Sequence, residues 1–560
     1  MRALIVDALA RGSKGRRVVT VDAIGAGPRT VAGVLEQLGV DVELRVSEDV
    51  LGMPRVLEDY DVLLVSAMSI DEATVARIVR HWRRRRGRRP VIVGGPIASD
   101  PGFVVRVGAD LGIHGEAEPV LERLVREGLL EDPDPGLLGG MCGVVFRGAE
   151  GGLVVRPRCP VMTRRMWERY RPSTRVVRGY PLYWAARVYV EVVRGCSNYQ
   201  FPRLEGVLPP ELLPEKPRPG CAYCSVISLW GYARSRSADL VYEEVKALID
   251  EGVHRIVLSG PDFLDYGRDW LVEPRPLVNP REPPPNLEAL RSLLSRLTSI
   301  PEIASGEASV MAENAKPGLV TEDAARLLGE YLRGTPIHVG AESGDAALLR
   351  RMARPASPRE AVEAVRRLRR SGLRPYVYVM YCLPGETSRT IESTVRLIEA
   401  LYRAGAEKVT AYRFMPLPGS YLEKLRGAAL ECPSPHPVKL KAEEVNVRAK
   451  KRLVGARVKA IVAGIHPRHE RPVAYPVKHG PVMLLEDEAE IGELVEAMIT
   501  GVKGDHMVTA AVTRRLGRIA AAETRHTEPR SGGAPSTLGR RTMRRGAGRR
   551  VERRRWRRRG

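Results

Sequence analysis

Short apolar runs alternate with amphipathic stretches through the first 430 residues of the chain. Ala3-Leu4-Ile5-Val6, residues 40–44, residues 61–65 and Val91-Ile92-Val93 read as strands, and residues 29–38 and 71–86 carry the three-to-four spacing of helices. Strand and helix in succession predict an α/β unit over residues 1–130, a doubly wound parallel sheet. Residues 131–184, rich in Pro and Gly and holding the turn Glu150-Gly151-Gly152, read as a connection. Alternation resumes over 185–440. Strands are expected at 188–193, 255–259, 336–341, 376–382 and 408–414, and helices at 238–251, 321–333, 358–371 and 387–404. That pattern predicts a partial or full (β/α) barrel. Residues 446–512 hold short, evenly spaced runs at 454–464, 471–475, 494–502 and 507–512, which predict a small β-barrel.

In both α/β units ligands are expected beyond the carboxyl ends of the strands. In the first, those ends carry Ser66-Ala67-Met68-Ser69 and Gly94-Gly95-Pro96. In the second they carry Cys196, Ser259-Gly260-Pro261-Asp262, Glu342-Ser343 and Leu383-Pro384-Gly385-Glu386-Thr387.

Composition changes the picture at the C-terminus. The net charge is +23, and residues 514–560 alone hold 17 Arg and three Glu. With little to bury, 513–560 is expected to be a disordered basic tail able to meet nucleic acid. No run of 18 apolar residues suggests a membrane span, and Asp7 interrupts an N-terminus that reads as a strand rather than a signal peptide. Seven irregularly spaced cysteines do not resemble a disulfide framework, and Cys142 and Cys159 read as packed thiols. A reducing, cytoplasmic setting is inferred.

The candidate chemistry centres on Cys196, Cys221 and Cys224. Cys196 follows the apolar run Val188-Tyr189-Val190-Glu191-Val192-Val193 and the turn Arg194-Gly195. The loop closes on Cys221-Ala222-Tyr223-Cys224 after an insert containing six prolines. Three thiolates on one loop suit a 4Fe–4S cluster with one open iron. The alternative is a structural zinc site, which wants a fourth ligand; the next Cys or His after Cys224 is His254.

At these residues the chain resembles the radical S-adenosylmethionine (SAM) superfamily, whose signature is Cys-x3-Cys-x-aromatic-Cys. Tyr223 fits as the aromatic, whereas 24 residues rather than three separate Cys196 from Cys221. The run from Arg234-Ser235-Arg236-Ser237 through Glu243-Glu244-Val245 to Ile256-Val257-Leu258-Ser259-Gly260, with Tyr266-Gly267-Arg268-Asp269, Glu342-Ser343-Gly344-Asp345 and Pro384-Gly385-Glu386-Thr387, resembles the tRNA methylthiotransferase branch. Val91-Ile92-Val93-Gly94-Gly95-Pro96 and the stretch from Gly108 to Glu118 resemble a cobalamin-binding-type domain, although no His stands between Asp7 and Arg17 and His114 reads as a turn histidine. Residues 446–512 resemble the RNA-binding TRAM barrel. Lys450, Lys451, Arg452, Arg457, Lys459, Arg468, Arg471 and Lys478 are its candidate phosphate contacts.

The resemblance implies reductive cleavage of SAM at the open iron, yielding a 5′-deoxyadenosyl radical or its equivalent. It implies an electron donor such as ferredoxin or flavodoxin, and cobalamin as a further candidate cofactor. Tyr223 would flank the adenine. Ser259-Gly260-Pro261-Asp262 would receive the methionine ammonium, and Glu342 and Ser343 the ribose or methionine part. Residues 1–141 contain no cysteine, so the auxiliary cluster of methylthiotransferases is expected to be absent and methyl transfer is favoured. RNA, most of all tRNA, is the expected substrate. The alternatives are a small-molecule, lipid or protein substrate, and a non-enzymatic RNA-binding protein with a structural metal.

Overall fold

Eight strands open the chain: β1 (Arg2–Asp7), β2 (Ala23–Ile24), β3 (Asp41–Val46), β4 (Val62–Ser66), β5 (Val91–Gly94), β6 (Leu111–Ile113), β7 (Val144–Arg147) and β8 (Leu153–Val155). They belong to a computed structural model that describes residues 1–9, 22–428 and 432–520. All but β2 form one sheet in the order β3-β1-β4-β5-β6-β7-β8. Successive residues of β1 serve opposite faces: Ala3 and Ile5 pack with Val34 and Leu35 of helix Ala26–Gln37, while Leu4 and Val6 pack with Val75 and Ile78 of helix Glu72–Arg86. Burial on both faces is why the run is wholly apolar.

The segment 131–184, expected as a connection, instead adds β7 and β8, antiparallel, to this sheet. Cys142 and Cys159, expected as packed thiols, flank these strands and are joined as a disulfide. A second disulfide joins Cys382 and Cys432, so the expectation of no disulfides is corrected twice.

The central unit contains β9 (Arg187–Glu191), β10 (Val193–Arg194), β11 (Arg234–Ser235), β12 (Arg255–Ser259), β13 (Ser309–Ala312), β14 (Asn314–Ala315), β15 (Pro336–Glu342), β16 (Arg374–Tyr381) and β17 (Lys408–Arg413). It comprises two parallel four-stranded sheets, β13-β12-β9-β2 and β14-β15-β16-β17. The chain steps from one sheet to the other at Glu313, the single residue between β13 and β14. The expected strands are present. β13 and β14 were not foreseen, because four- and two-residue strands leave too short an apolar run.

The last strands, β18 (Arg457–Ile465), β19 (Pro472–Pro476), β20 (Val482–Leu485), β21 (Glu493–Lys503) and β22 (Met507–Arg518), close a small barrel in the order β18-β19-β20-β22-β21. Ala460, Val462, Ala474, Met483, Val495, Ala497, Val508 and Ala510 fill it. Residues 446–451 belong to helix Pro437–Lys451 rather than to this barrel. Residues 513–518, expected in the tail, complete β22; the remaining tail from 521 lies outside the described residues.

The loop after β19 reaches the amino end of the central strands. Ser309 Oγ donates to Val477 O, and Arg374 donates to His479 O at 2.8 Å. No helix among the described residues is long and apolar enough to cross a membrane.

Candidate active site

The short antiparallel pair β10–β11 closes the base of a loop that begins at Gly195. Gly195 has φ +79°, and a Cβ there would stand 2.1 Å from Tyr232 O, so only glycine permits this crossing. Cys196 is fixed by its own N–H donating to Gly231 O at 3.1 Å. The proline-rich insert does not stand free: Leu204, Val207, Leu208 and Leu212 pack with Leu348, Leu383 and Leu422. It returns the chain so that Cys221 and Cys224 share a cavity of ≈ 240 Å³ with Cys196. All three cysteines lie outside the disulfides.

Asn198 ties the two halves of the loop together. Its backbone N–H donates to Cys196 Sγ at 3.4 Å, and its Nδ2 donates to Cys221 Sγ at 3.3 Å and to Ala353 O at 2.9 Å. Burial pushes the Cys196 thiol up against the pull of Lys316, and pushes Cys224 up to about 12, with Cys221 adding to the rise. Asn198 Oδ1, Tyr223 Oη and Arg354 Nε are buried without a hydrogen-bond partner, and all three residues line the cavity.

The other expected residues are not all there. Tyr223, Pro261 and Glu342 line the cavity. Glu342 sits at φ +64°, strained for a side-chain-bearing residue, and its carboxylate lies 3.5 Å from Arg354. Burial raises the Glu342 pKa and Arg354 opposes the rise. Gly340 makes room: a Cβ there would fall 2.4 Å from Glu342 Oε1 and 2.5 Å from Arg354.

Asp262, expected to receive an ammonium, is fully buried and faces Lys316 Nζ at 3.3 Å. Its Oδ1 accepts the Leu264 and Lys316 N–H groups. The protein's own ammonium therefore occupies the role given to a ligand. Ser343 is likewise turned into the structure, 3.3 Å from Thr394 Oγ1 and accepting the Asp345 N–H. Gly260 is held by Glu313 and Asn314. Ser259 Oγ donates to Glu313 at 2.6 Å and lines a different cavity.

Several residues of the cavity wall escaped the sequence reading. Lys316 bridges Asp265 and Ser197, each at 2.7 Å. Asn314 and Lys316 follow the unforeseen β13, and Arg354 follows a helix with no motif to mark it. Asn198, two residues beyond Cys196, carried the one available signal.

The second cavity, ≈ 210 Å³, lies where the carboxyl ends of the N-terminal sheet meet the central unit. Ser66, Gly94 and Gly95 line one side, and Glu191, Arg194, Trp230 and Ser259 the other. Arg194, two residues before Cys196, is buried in the dividing wall. It pairs with Glu118 at 2.7 Å, Glu191 at 2.7 Å and Glu116 at 3.1 Å, and lies over the rings of Trp167 and Trp230. His114 is turned away, bonded to Arg156 O.

Comparison with known proteins gives the following. The family profile described as Radical SAM superfamily matches residues 218–398. An uncharacterized protein of Methanopyrus kandleri is 40% identical over 92% of this chain and 97% of its own length. The tRNA-2-methylthio-N(6)-dimethylallyladenosine synthase of Lawsonia intracellularis is 27% identical over 39% of this chain and 41% of its own. Among solved structures, the radical SAM methyltransferase TsrM of Kitasatospora setae, with cobalamin and a [4Fe-4S] cluster bound, matches with TM-score 0.55 at 16% identity, covering 77% of this chain and 79% of that one. That likeness is one of fold.

Proposed function

The chain belongs to the radical S-adenosylmethionine superfamily, and from that premise we propose that Cys196, Cys221 and Cys224 ligate its 4Fe–4S cluster in an enzyme that transfers a methyl or related group to RNA, with tRNA the substrate class. The observation that carries the cluster assignment is the convergence of three cysteines outside the disulfides, Cys196 and the distant pair Cys221 and Cys224, on one cavity at the carboxyl ends of the barrel strands. When bound, the cluster supplies the electron that splits SAM, drawn from a donor such as ferredoxin or flavodoxin.

The residues around it do the rest. The two Asn198 N–H groups reach two of the three sulfurs and draw charge from them, which raises the potential of such a centre. The Arg354 cation offsets negative charge beside Cys221. Tyr223 flanks the site, and Glu342 with Arg354 offers an anion and a cation to the ammonium and carboxylate of the amino-acid end of SAM. The barrel wall excludes water from a reactive species.

Cobalamin is assigned to the second cavity, which Gly94, Gly95 and Arg194 line. The described residues lining it include no histidine, in keeping with cobalt that carries no protein imidazole. Electron paramagnetic resonance of the cob(II)alamin form should lack nitrogen superhyperfine splitting; clear axial-nitrogen splitting would contradict this assignment.

RNA is supported by the tRNA-modifying relative. The small barrel docks at the amino end of the central strands, not beside the mouth as expected for a domain presenting RNA there. The seven residues of β15 span roughly 23 Å between those ends. An RNA that met the small barrel and entered the mouth would have to span that distance. Of the expected phosphate contacts, Lys450 is buried, Arg452 lies over Tyr402 at 4.1 Å and Lys478 donates to Arg333 O. Lys451, Arg468 and Arg471 remain exposed. The second reading, a small-molecule substrate, draws on the short reach of the tRNA relative along the chain. Incubation with methyl-labelled SAM separates the two: label in bulk tRNA, with a nucleoside missing from a deletion strain, supports RNA. Label confined to small metabolites defeats it.

A further inference from the structure

We propose that Cys382, Glu386, Cys432 and His436 form a second metal centre, which takes a zinc-type divalent ion when the two cysteines are thiols. It lies at the carboxyl end of β16, outside the cavity that holds Cys196. Ligand atoms of Cys382, Glu386 and His436 all lie within 4.8 Å of one another. The Cys432 sulfur is bonded to that of Cys382, which places it beside that group at its edge. His436 Nε2 stands 3.1 Å from Glu386 Oε1, which also accepts the Cys382 N–H at 3.0 Å. Cys382 and His436 are buried, and the imidazole packs on the Tyr381 ring at 4.7 Å.

Two sulfurs, one imidazole nitrogen and one carboxylate oxygen make a four-donor set of the kind zinc takes in closed tetrahedral sites. The other disulfide provides the contrast. Among the described residues no imidazole or carboxylate gathers with Cys142 and Cys159 into such a group. Chance pairing of two cysteines explains the first disulfide; it does not explain why the second converges on a buried histidine and glutamate.

The superfamily's cluster works under reducing conditions, in which a dithiol delivers two electrons and two protons to the Cys382–Cys432 bond and becomes a disulfide itself. The buried Cys382 thiol then stands against Glu386 and His436, with the half-buried Cys432 thiol next to it. The ion displaces both thiol protons to solvent, and its charge compensates the two thiolates it binds. A ring bound through Nε2 keeps its proton on Nδ1, so the 3.3 Å bond from the Val438 N–H to that nitrogen gives way. The centre thus keeps the end of β16 joined to the start of helix Pro437–Lys451 in the environment that would cut the disulfide.

The test uses the full chain, cluster reconstituted, reduced with a dithiol and freed of excess reagent. Zinc is added, and native alkylation by N-ethylmaleimide is read peptide by peptide. Zinc should bring about one tightly held ion per chain and abolish labelling of Cys382 and Cys432, and His436→Ala should lose both effects. Cobalt in place of zinc should give thiolate-to-cobalt charge transfer and the intense visible bands of a tetrahedral site, in wild type and in a C196A/C221A/C224A chain alike. Equal labelling with and without zinc, or a cobalt spectrum that disappears with the three cluster cysteines, overturns the proposal. The wild-type labelling and the cobalt spectrum decide the matter even if His436→Ala fails to fold.

Discussion

At the carboxyl end of the central barrel, Asn198, Tyr223 and Arg354 present buried polar atoms to a cavity without protein partners. At the amino end, Arg187 and Arg255 meet Asp22, Arg374 meets Glu407, and the loop carrying His479 covers them. Both ends bury charge, and both hold polar atoms without a partner, since Arg255 Nε, His338 Nδ1 and both His479 nitrogens also have none; the difference is that the amino end pairs its arginines with carboxylates in a closed wall, while Asn198, Tyr223 and Arg354 face a cavity. Polar atoms left unpaired cost about 1–3 kcal/mol each, which a protein sustains where a ligand completes them. The contrast separates function from stability along one set of strands. The imidazoles at the amino end fit the same division: burial, reinforced by neighbouring cations, holds His338 down to about 3 and His479 well below its ordinary value, so both stay neutral among arginines.

The comparison breaks most easily at the cysteines. Replacing Cys196, Cys221 and Cys224 by Ala should remove all iron of the cluster and reduce SAM cleavage to background, whereas the Cys142→Ala/Cys159→Ala pair should keep both. Iron analysis and chromatography of the cleavage products read the outcome, and a triple variant that retains its cluster would remove the assignment. Next in size is Lys316→Met. It leaves Asp262 wholly, and Asp265 partly, without a cation in a buried site, and should cost about 3–5 kcal/mol in urea unfolding. A cost below 1 kcal/mol would mean that the network is not what orders the floor of the mouth.

The amino end should show its character in acid. The depressed His338 value makes the unfolded chain bind more protons than the folded one between about 6.5 and about 3, and the depressed His479 acts in the same direction, so stability falls as pH drops below 6.5. His338 should remove about 2 kcal/mol between pH 6.5 and 5, and His479→Asn should flatten the profile. An unchanged slope in that variant would place the acid sensitivity elsewhere. The smallest effect is expected from Gly340→Ala, whose new methyl group displaces Glu342 and Arg354. KM for SAM should rise about tenfold, or 1.4 kcal/mol, with iron content unchanged. Loss of iron instead would make Gly340 a folding residue.

Much of this was legible in the sequence, for physical reasons. Long apolar runs such as Ala3–Val6 and Val188–Val193 announce buried strands, and the wide gap between Cys196 and Cys221 did not hide their partnership because prolines announced an excursion. What stayed hidden depends on contacts distant in sequence. Lys316 meets Asp262 only because the unforeseen β13 brings it there. The Cys382–Cys432 bond spans 50 residues with no local pattern to declare it. The place of the small barrel hangs on a four-residue turn, Val477 to Gly480, and no periodicity says which end of another unit a turn will cover.

One short strand has a consequence for how this molecule can be taken apart. β2, Ala23–Ile24, leaves the first α/β unit and lies parallel to β9 inside the sheet of the second, and Asp22 beside it holds Arg187 and Arg255. The frontier between the two units is therefore not a cut point in the chain. A graft that exchanged one N-terminal unit for another would unravel an edge of the neighbouring sheet. A truncation begun at residue 131 would remove a strand from the barrel it was meant to isolate.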